Sequence, residues 1–379
     1  MRLSLLPAVV LGLALAACAG TAVAPGPSAT AVTTPSPSPM PSPAPTVTPA
    51  PTPTFLAPSE VLPLSLADVF PPRDLSGLRL DPSRIRTMVA TGDVIPARFA
   101  DVAIRRQGDD FLYPLAATRE ITSGADLTSI NLEAPLIKGC PYHDSGFIFC
   151  GRPGFAAALQ AAGVDVATLE NNHIGNYGAE GIAETVGHLE AAGIAFADRD
   201  TSATREVRGL KFGFLAFNGV GAAIDREAMV ARIQALRPQV DVLVVALHWG
   251  AEYVSLPQIA PGVANDDPVE IAHLAVDAGA DLIIGNHPHW IQAVEVYKGK
   301  FIAYAHGNFI FDQMWSYETR VGVMGRYTFY DKALVGVEFI PVLIENYAQP
   351  VPMQGAEAQK VLDGMRAASE ELARRLAEG

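Results

Sequence analysis

From Arg84 onward the chain alternates short apolar runs with amphipathic stretches. The runs RTMVATGD, DLTSINLE, VDVATLENNH, LKFGFLAFN, DVLVVALHWG and DLIIGNHPH are rich in β-branched residues and leucine, and each ends in Gly, Asn, Asp, Glu or His. This pattern predicts strands buried on both faces. Between them, residues 114–124, 155–163, 179–193, 226–236 and 268–279 read as helices, and Gly163, Gly193 and Gly279 stand where C-terminal caps belong. The segments AAGVDVATL, AAGIAF and DAGADLIIG carry a helix straight into the next strand, the arrangement of an α/β fold with a largely parallel sheet. After Gln292 the pattern AVEVYKGKFIAYAHGN predicts a hairpin turning at Lys298-Gly299. A C-terminal helix over 356–378 would place Val361, Leu362, Met365, Leu372 and Leu376 on one face, to pack on the body.

The first 54 residues follow neither period. MRLSLLPAVVLGLALAACAG has one arginine, an apolar run and then Leu15-Ala16-Ala17-Cys18, which resembles the site cut by lipoprotein signal peptidase. Residues 1–17 are therefore read as a lipoprotein signal peptide, with Cys18 as the lipidated first residue of a membrane-anchored, extracytoplasmic protein of the bacterial cell envelope. The alternative, a membrane-spanning helix, needs roughly 20 apolar residues, and this run is shorter and contains Pro7. Residues 18–64 read as a tether: 19–54 hold eleven prolines and no charge, a composition that stays extended and buries no core. At ~3 Å per residue such a spacer reaches on the order of 100 Å from the membrane. Residues 65–379 form the body.

Charge and cysteine use narrow the partners. The net charge is −13, and −14 once the segment bearing Arg2 is removed (26 basic against 40 acidic residues), which argues against nucleic acid. Cys140 and Cys150 close the stretch GCPYHDSGFIFC, whose two thiols and nine intervening residues fit no common zinc spacing. Outside the cytoplasm they read as a local disulfide, the alternative being two free thiols.

Polar residues with metal-binding chemistry collect where the strands give out. They are Asp93 in TGDV, Asn131 and Glu133 in INLEAP, Asn171, Asn172 and His173 in LENNH, His248 in LHWG, and His287 and His289 in GNHPH. The carboxyl edge of an open α/β sheet gathers such residues into one site. Imidazoles and carboxylates without thiolates suit Zn, Mn or Fe, and a set of this size can hold two ions. Read as an extended segment, His287 and His289 point to the same side, stiffened by Pro288 between them.

The segments TGDV, NLEAPL, NNH, HWGAEY, GNHPHWIQ and GNFIFDQ, in that order from Thr91 to Gln313, resemble the CapA-type family of capsule or poly-γ-glutamate synthesis proteins. That family is similar in turn to the calcineurin-like metallophosphoesterases. The resemblance implies a layered α-β-β-α sandwich of metallophosphoesterase type, a divalent metal centre of one or two ions, and metal-dependent hydrolysis of a phosphoester or envelope-polymer amide bond. The alternative it implies is a non-catalytic factor that assembles, exports or retains an anionic capsule polymer. It assigns Asp93, Glu133, Asn172, His248, His287 and His289 to the metal and His173 to proton transfer, with Asn308 and Asp312 lining or orienting the site. Three positions in two motifs depart from the family pattern: Asn176 stands where the family has Asp after NNH, and Ala305-His306 precede GNF where it has Ser-Leu.

Overall fold

The computed structural model describes residues 55–378 together with residues 26, 31 and 40. Cys18 and the 1–17 segment lie outside the described residues. The elements, in order, are β1 (Ile85–Val94), α1 (Phe99–Arg106), α2 (Arg119–Ser123), β2 (Leu127–Leu132), α3 (Gly154–Ala161), β3 (Val166–Thr168), α4 (Gly178–Ala191), β4 (Ala195–Ala197), β5 (Ala203–Val207), β6 (Leu210–Asn218) and α5 (Arg226–Leu236). They continue with β7 (Val242–His248), α6 (Pro268–Ala278), β8 (Leu282–Asn286), β9 (Val294–Tyr297), β10 (Lys300–Ala303), β11 (Asn308–Ile310), α7 (Tyr317–Arg320), β12 (Val321–Tyr330), β13 (Ala333–Glu345), β14 (Gln349–Pro352) and α8 (Gly355–Glu378).

The strands form two sheets, a division that the apolar pattern of the strands does not announce. The first runs β14-β13-β12-β1-β2-β3-β4, with β11 joined to β1; the second runs β5-β6-β7-β8-β10-β9. In the first, β1 to β4 are parallel, while β12, β13 and β14 add an antiparallel half. In the second, β6, β7, β8 and β10 are parallel between antiparallel edges β5 and β9.

Alternation along the strands builds the layers. Met88, Leu127, Phe212, Phe214, Val244, Ile284, Tyr327 and Phe339 meet in one core between the sheets. The opposite faces of the first sheet pack against α1, α3 and α4 through Val89, Ile130, Ala167, Ile104, Phe155, Leu159 and Leu189. Those of the second pack against α5 and α6 through Leu243, Val245, Ile283, Met229, Ile233 and Ile271. The result is an α-β-β-α sandwich with a C-terminal helix. Met365 and Leu372 of α8 are buried in it, whereas Leu376, expected on the same face, is 39% exposed near the end of the helix.

Local chemistry accounts for most boundaries. Asp225 and Asp267 cap α5 and α6 by accepting from Ala228 N–H and Val269 N–H. The β9–β10 hairpin turns at Lys298 and Gly299, both left-handed (φ 49° and 77°), as a two-residue primed turn requires. The helix expected over 114–124 is instead a short 3-10 turn (Tyr113–Leu115) and the five-residue α2. Residues 55–64, expected as the end of the tether, are tied to the body: Leu56 N–H donates to Arg79 O (2.8 Å) and Tyr330 Oη–H to Leu56 O (2.6 Å).

Candidate metal centre

Period two aims the strand-end side chains. In β7, Val242, Val244 and Ala246 face the inter-sheet core while Leu243, Val245 and Leu247 face the helices, so His248 ends the strand on the inner side. In β2, Leu127 faces inward and Ile130 and Leu132 outward, which turns Asn131 and Glu133 inward. Asp93 is out of phase with Met88 and Ala90 of its own strand. A register shift between Ala90 and Asp93 in the β1–β2 pairing supplies the extra residue that turns it into the site. Gly92 makes this possible, since a Cβ there would lie 1.9 Å from Gly307 O.

His287 and His289 do not sit in an extended segment. Their φ angles are 96° and 55°, so the chain coils through the left-handed region on either side of Pro288, a conformation that bulky residues seldom adopt. Both rings nevertheless reach the site: centroids are 4.9 Å apart for His248 and His287 and 5.8 Å for His287 and His289.

The set is knitted by hydrogen bonds. Asn131 Nδ2 donates to Asp93 Oδ1 (2.9 Å) and to Glu133 Oε2 (3.3 Å). His289 Nδ1 lies 3.1 Å from Asp93 Oδ2 and 2.9 Å from Asn308 Oδ1. His248 Nε2 is 2.8 Å from Asn172 Oδ1 and 3.4 Å from Glu133 Oε1. Asn171 shapes the turn behind them: its Nδ2 donates to Asn131 Oδ1 and Leu132 O, and its Oδ1 accepts from His173 N–H and Ile174 N–H. Asp312 is engaged elsewhere, pairing with Arg98 and capping α1 through Phe99 N–H.

Burial dominates the electrostatics. It pushes the Glu133 carboxyl well above the carboxylate range, with Asp93 adding to the effect. Asp93 feels the same burial, but its bond to the His289 ring and the charge of that ring hold it well below the usual range. Burial lowers His248 to about 3 and His287 well below an ordinary imidazole. His289 is also buried, yet its partnership with Asp93, aided by Glu133, raises it to about 9. His173, packed on Phe149 at 4.4 Å, is lowered by burial to about 4 against the opposing bond from Asn176.

The donors fit a metal. Ligating atoms of Asp93, Glu133 and His248 lie within 4.8 Å of one another, as do those of Glu133, His287 and His289, so Glu133 belongs to both groups. Glu133 Oε1, His248 Nδ1 and both ring nitrogens of His287 are buried without a hydrogen-bond partner. Groups so placed cost free energy unless something binds them. Sequence reasoning missed two neighbours. Asn286, on the inner face of β8 beside His287, has a buried Nδ2 with no partner; Glu252 brings Oε1 to 3.9 Å from His287 Nε2. Both stand in quoted motifs, GNHPH and HWGAEY, and strand parity would have flagged Asn286. A third group, Cys140, His143 and Cys150, has similar proximity, but the two sulfurs are bonded to each other (Cα–Cα 5.8 Å) and offer no thiolate.

A family model described as bacterial capsule synthesis protein PGA_cap matches residues 87–313. The chain is 28% identical to the capsule biosynthesis protein CapA of Bacillus anthracis over 298 residues, covering 71% of this chain and 70% of that one. It is 28% identical to the PGA biosynthesis protein CapA of Bacillus subtilis (strain 168) over 286 residues, covering 69% and 72%. Among solved structures, a hypothetical protein from Thermus thermophilus aligns with a TM-score of 0.45 at 15% identity, over 68% of this chain and 100% of that one. The matched span holds every strand-end residue of the candidate centre, and the chain belongs to the bacterial capsule synthesis protein family PGA_cap.

Proposed function

We propose that this protein is a metal-dependent hydrolase of the cell envelope, held at the membrane by lipid on Cys18. In this reading it cleaves a phosphoester or an amide bond during the making of an anionic capsule polymer of the poly-γ-glutamate kind. The observation that carries it is the convergence of Asp93, Glu133, His248, His287 and His289 in two buried groups sharing Glu133, with Glu133 Oε1, one ring nitrogen of His248 and both of His287 left without a hydrogen bond. Asp93, Glu133 and His248 would hold one divalent cation, and Glu133, His287 and His289 a second, with Asn172 beside His248; Zn, Mn and Fe all suit these donors. When bound, such cations stabilise charge on a phosphoryl or carbonyl oxygen and bring the pKa of water toward neutrality.

The protein's own groups do the rest. Asn131 holds both carboxylates in place with one amide. Asn308 steadies His289, itself fixed by donating Nδ2 to Gln313 Oε1 and Thr319 O. His173 Nδ1 is taken up by Asn176, which leaves Nε2 to hold or move a proton for the reacting group.

The test is metal analysis of the purified chain, followed by assays on phosphomonoester, phosphodiester and γ-glutamyl amide substrates with the recovered metal. The expected outcome is one to two divalent ions per chain, with activity lost in His287→Ala. A chain without metal or hydrolysis overturns the reading. Surface polymer fully restored to a deletion strain by His287→Ala would instead favour an assembly or export factor.

A further inference from the structure

The Cys140–Cys150 loop reaches the proton-handling histidine, and the contact has a chemical direction. Phe149 N–H donates to Asn176 Oδ1 at 2.7 Å, and the same oxygen is 3.2 Å from His173 Nδ1. A backbone N–H can only donate, so the amide atom facing it must be the oxygen; the flipped amide would set two donors against each other. That oxygen can only accept, so the neutral His173 ring must carry its proton on Nδ1. The Phe149 ring, in a residue 1% exposed, packs on the same imidazole at 4.4 Å with the two planes tilted by 47°, and meets Phe311 at 5.6 Å. The loop itself is held at three points: the disulfide, Arg98 donating to Gly146 O at 3.0 Å, and Gly151 N–H donating to Pro135 O at 2.8 Å.

We propose that the disulfide-closed loop is a positioning device for His173: through Phe149 N–H and Asn176 it locks the imidazole in the Nδ1–H form, leaving the Nε2 lone pair toward the reaction, and opening the disulfide releases that lock. Free histidine prefers the opposite tautomer, so the lock is a specific demand on the fold. It also gives Asn176 a purpose. An amide has an oxygen end and a nitrogen end where a carboxylate has two acceptors, so a neutral residue here needs a second donor to orient it, and the loop provides one. The catalytic consequence rests on the role given to His173 above; the tautomer does not.

The experiment is a long-range 1H–15N correlation spectrum of the full mature chain labelled with 15N-histidine, at pH 7.5 with Zn2+ as a diamagnetic ion, His173 being assigned by its loss in His173→Gln. The expected result is a protonated Nδ1 and a bare Nε2 in the native protein and in Asn176→Asp, whose carboxylate accepts from both donors. In Asn176→Leu, and in Cys140→Ser/Cys150→Ser or the dithiothreitol-reduced chain, His173 should move to the Nε2–H form or to an averaged signal. An Nε2–H ring in the native protein overturns the proposal, as does an Nδ1–H ring unchanged by opening the disulfide. If the serine variant does not fold, Asn176→Leu and the reduced native chain decide. Hydrolysis measured in parallel separates the readings: an inactive chain with a locked tautomer refutes the hydrolase and leaves the lock standing.

Discussion

Among the described residues, His287 presents the sharpest local imbalance. It is 1% exposed and neither ring nitrogen has a hydrogen-bond partner, although an unmade bond in a buried polar group costs about 1–3 kcal/mol. A ligand role removes the imbalance and makes the sign of a substitution depend on metal. In chelator, His287→Leu exchanges an unpaired polar ring for an apolar side chain and is expected to leave stability unchanged or raise it by about 1 kcal/mol. With metal present, the native chain gains about 2.7 kcal/mol at a hundredfold excess over Kd, and the variant is expected to forgo most of that gain. Thermal unfolding with and without Zn2+ or Mn2+ checks both signs, and an equal destabilisation in the two conditions rules out ligation. The ring type and spacing of His287 and His289 were readable in GNHPH. Their left-handed backbone was not, because nothing in a His-Pro-His string forces φ positive; the turn is imposed by the elements on either side, for example Tyr253 N–H donating to Pro288 O at 2.9 Å.

At the scale of elements, the site is only as accurate as the strands that end in it. Gly285, two residues before His287 in β8, has no room for a side chain: a Cβ would lie 1.9 Å from Tyr304 O and 2.7 Å from Trp249 Nε1, which itself donates to Tyr304 O at 3.0 Å. Gly285→Ala must therefore push β8 away from the segment after β10, and overpacking of this kind costs about 1–3 kcal/mol or more. The expected outcome is that loss in urea unfolding together with weaker metal binding by titration. A variant of native stability and affinity would show that the strand end has slack the structure does not. Six of the parallel strands, β1, β2, β3, β6, β7 and β8, were legible as apolar runs ending in polar residues, whereas the three-residue β11 beside β1 was not. The antiparallel half, β12 to β14, was not: β12 is buried along most of its length on both faces and so lacks alternation. Its turn into β13 uses Asp331 in a left-handed conformation (φ 50°), with no Asn-Gly or Asp-Gly signal to announce it.

For the molecule as a whole, pattern alone could not separate one sheet from two, because a strand covered on both faces reads alike whichever sheet owns it; the layering entered through the family resemblance. Charge bears on how the candidate site and the proposed lipid anchor would work together. The chain carries −13, so an anionic polymer is repelled at long range, and the cations at the candidate centre would supply the local attraction. Attachment can then be separated from the site: every candidate ligand lies between Asp93 and His289, inside the folded region, while Cys18, the residue proposed to carry lipid, lies far outside that span. Cys18→Ser, which removes both the lipid acceptor and the residue the signal peptidase requires, is therefore expected to lose incorporated radiolabelled palmitate and to retain residues 1–17, with metal content and unfolding temperature at native values. A native chain that incorporates no palmitate and is not cut before Cys18 would instead identify the apolar segment before Cys18 as a span. Among the described residues no helix is long and apolar enough to cross a membrane.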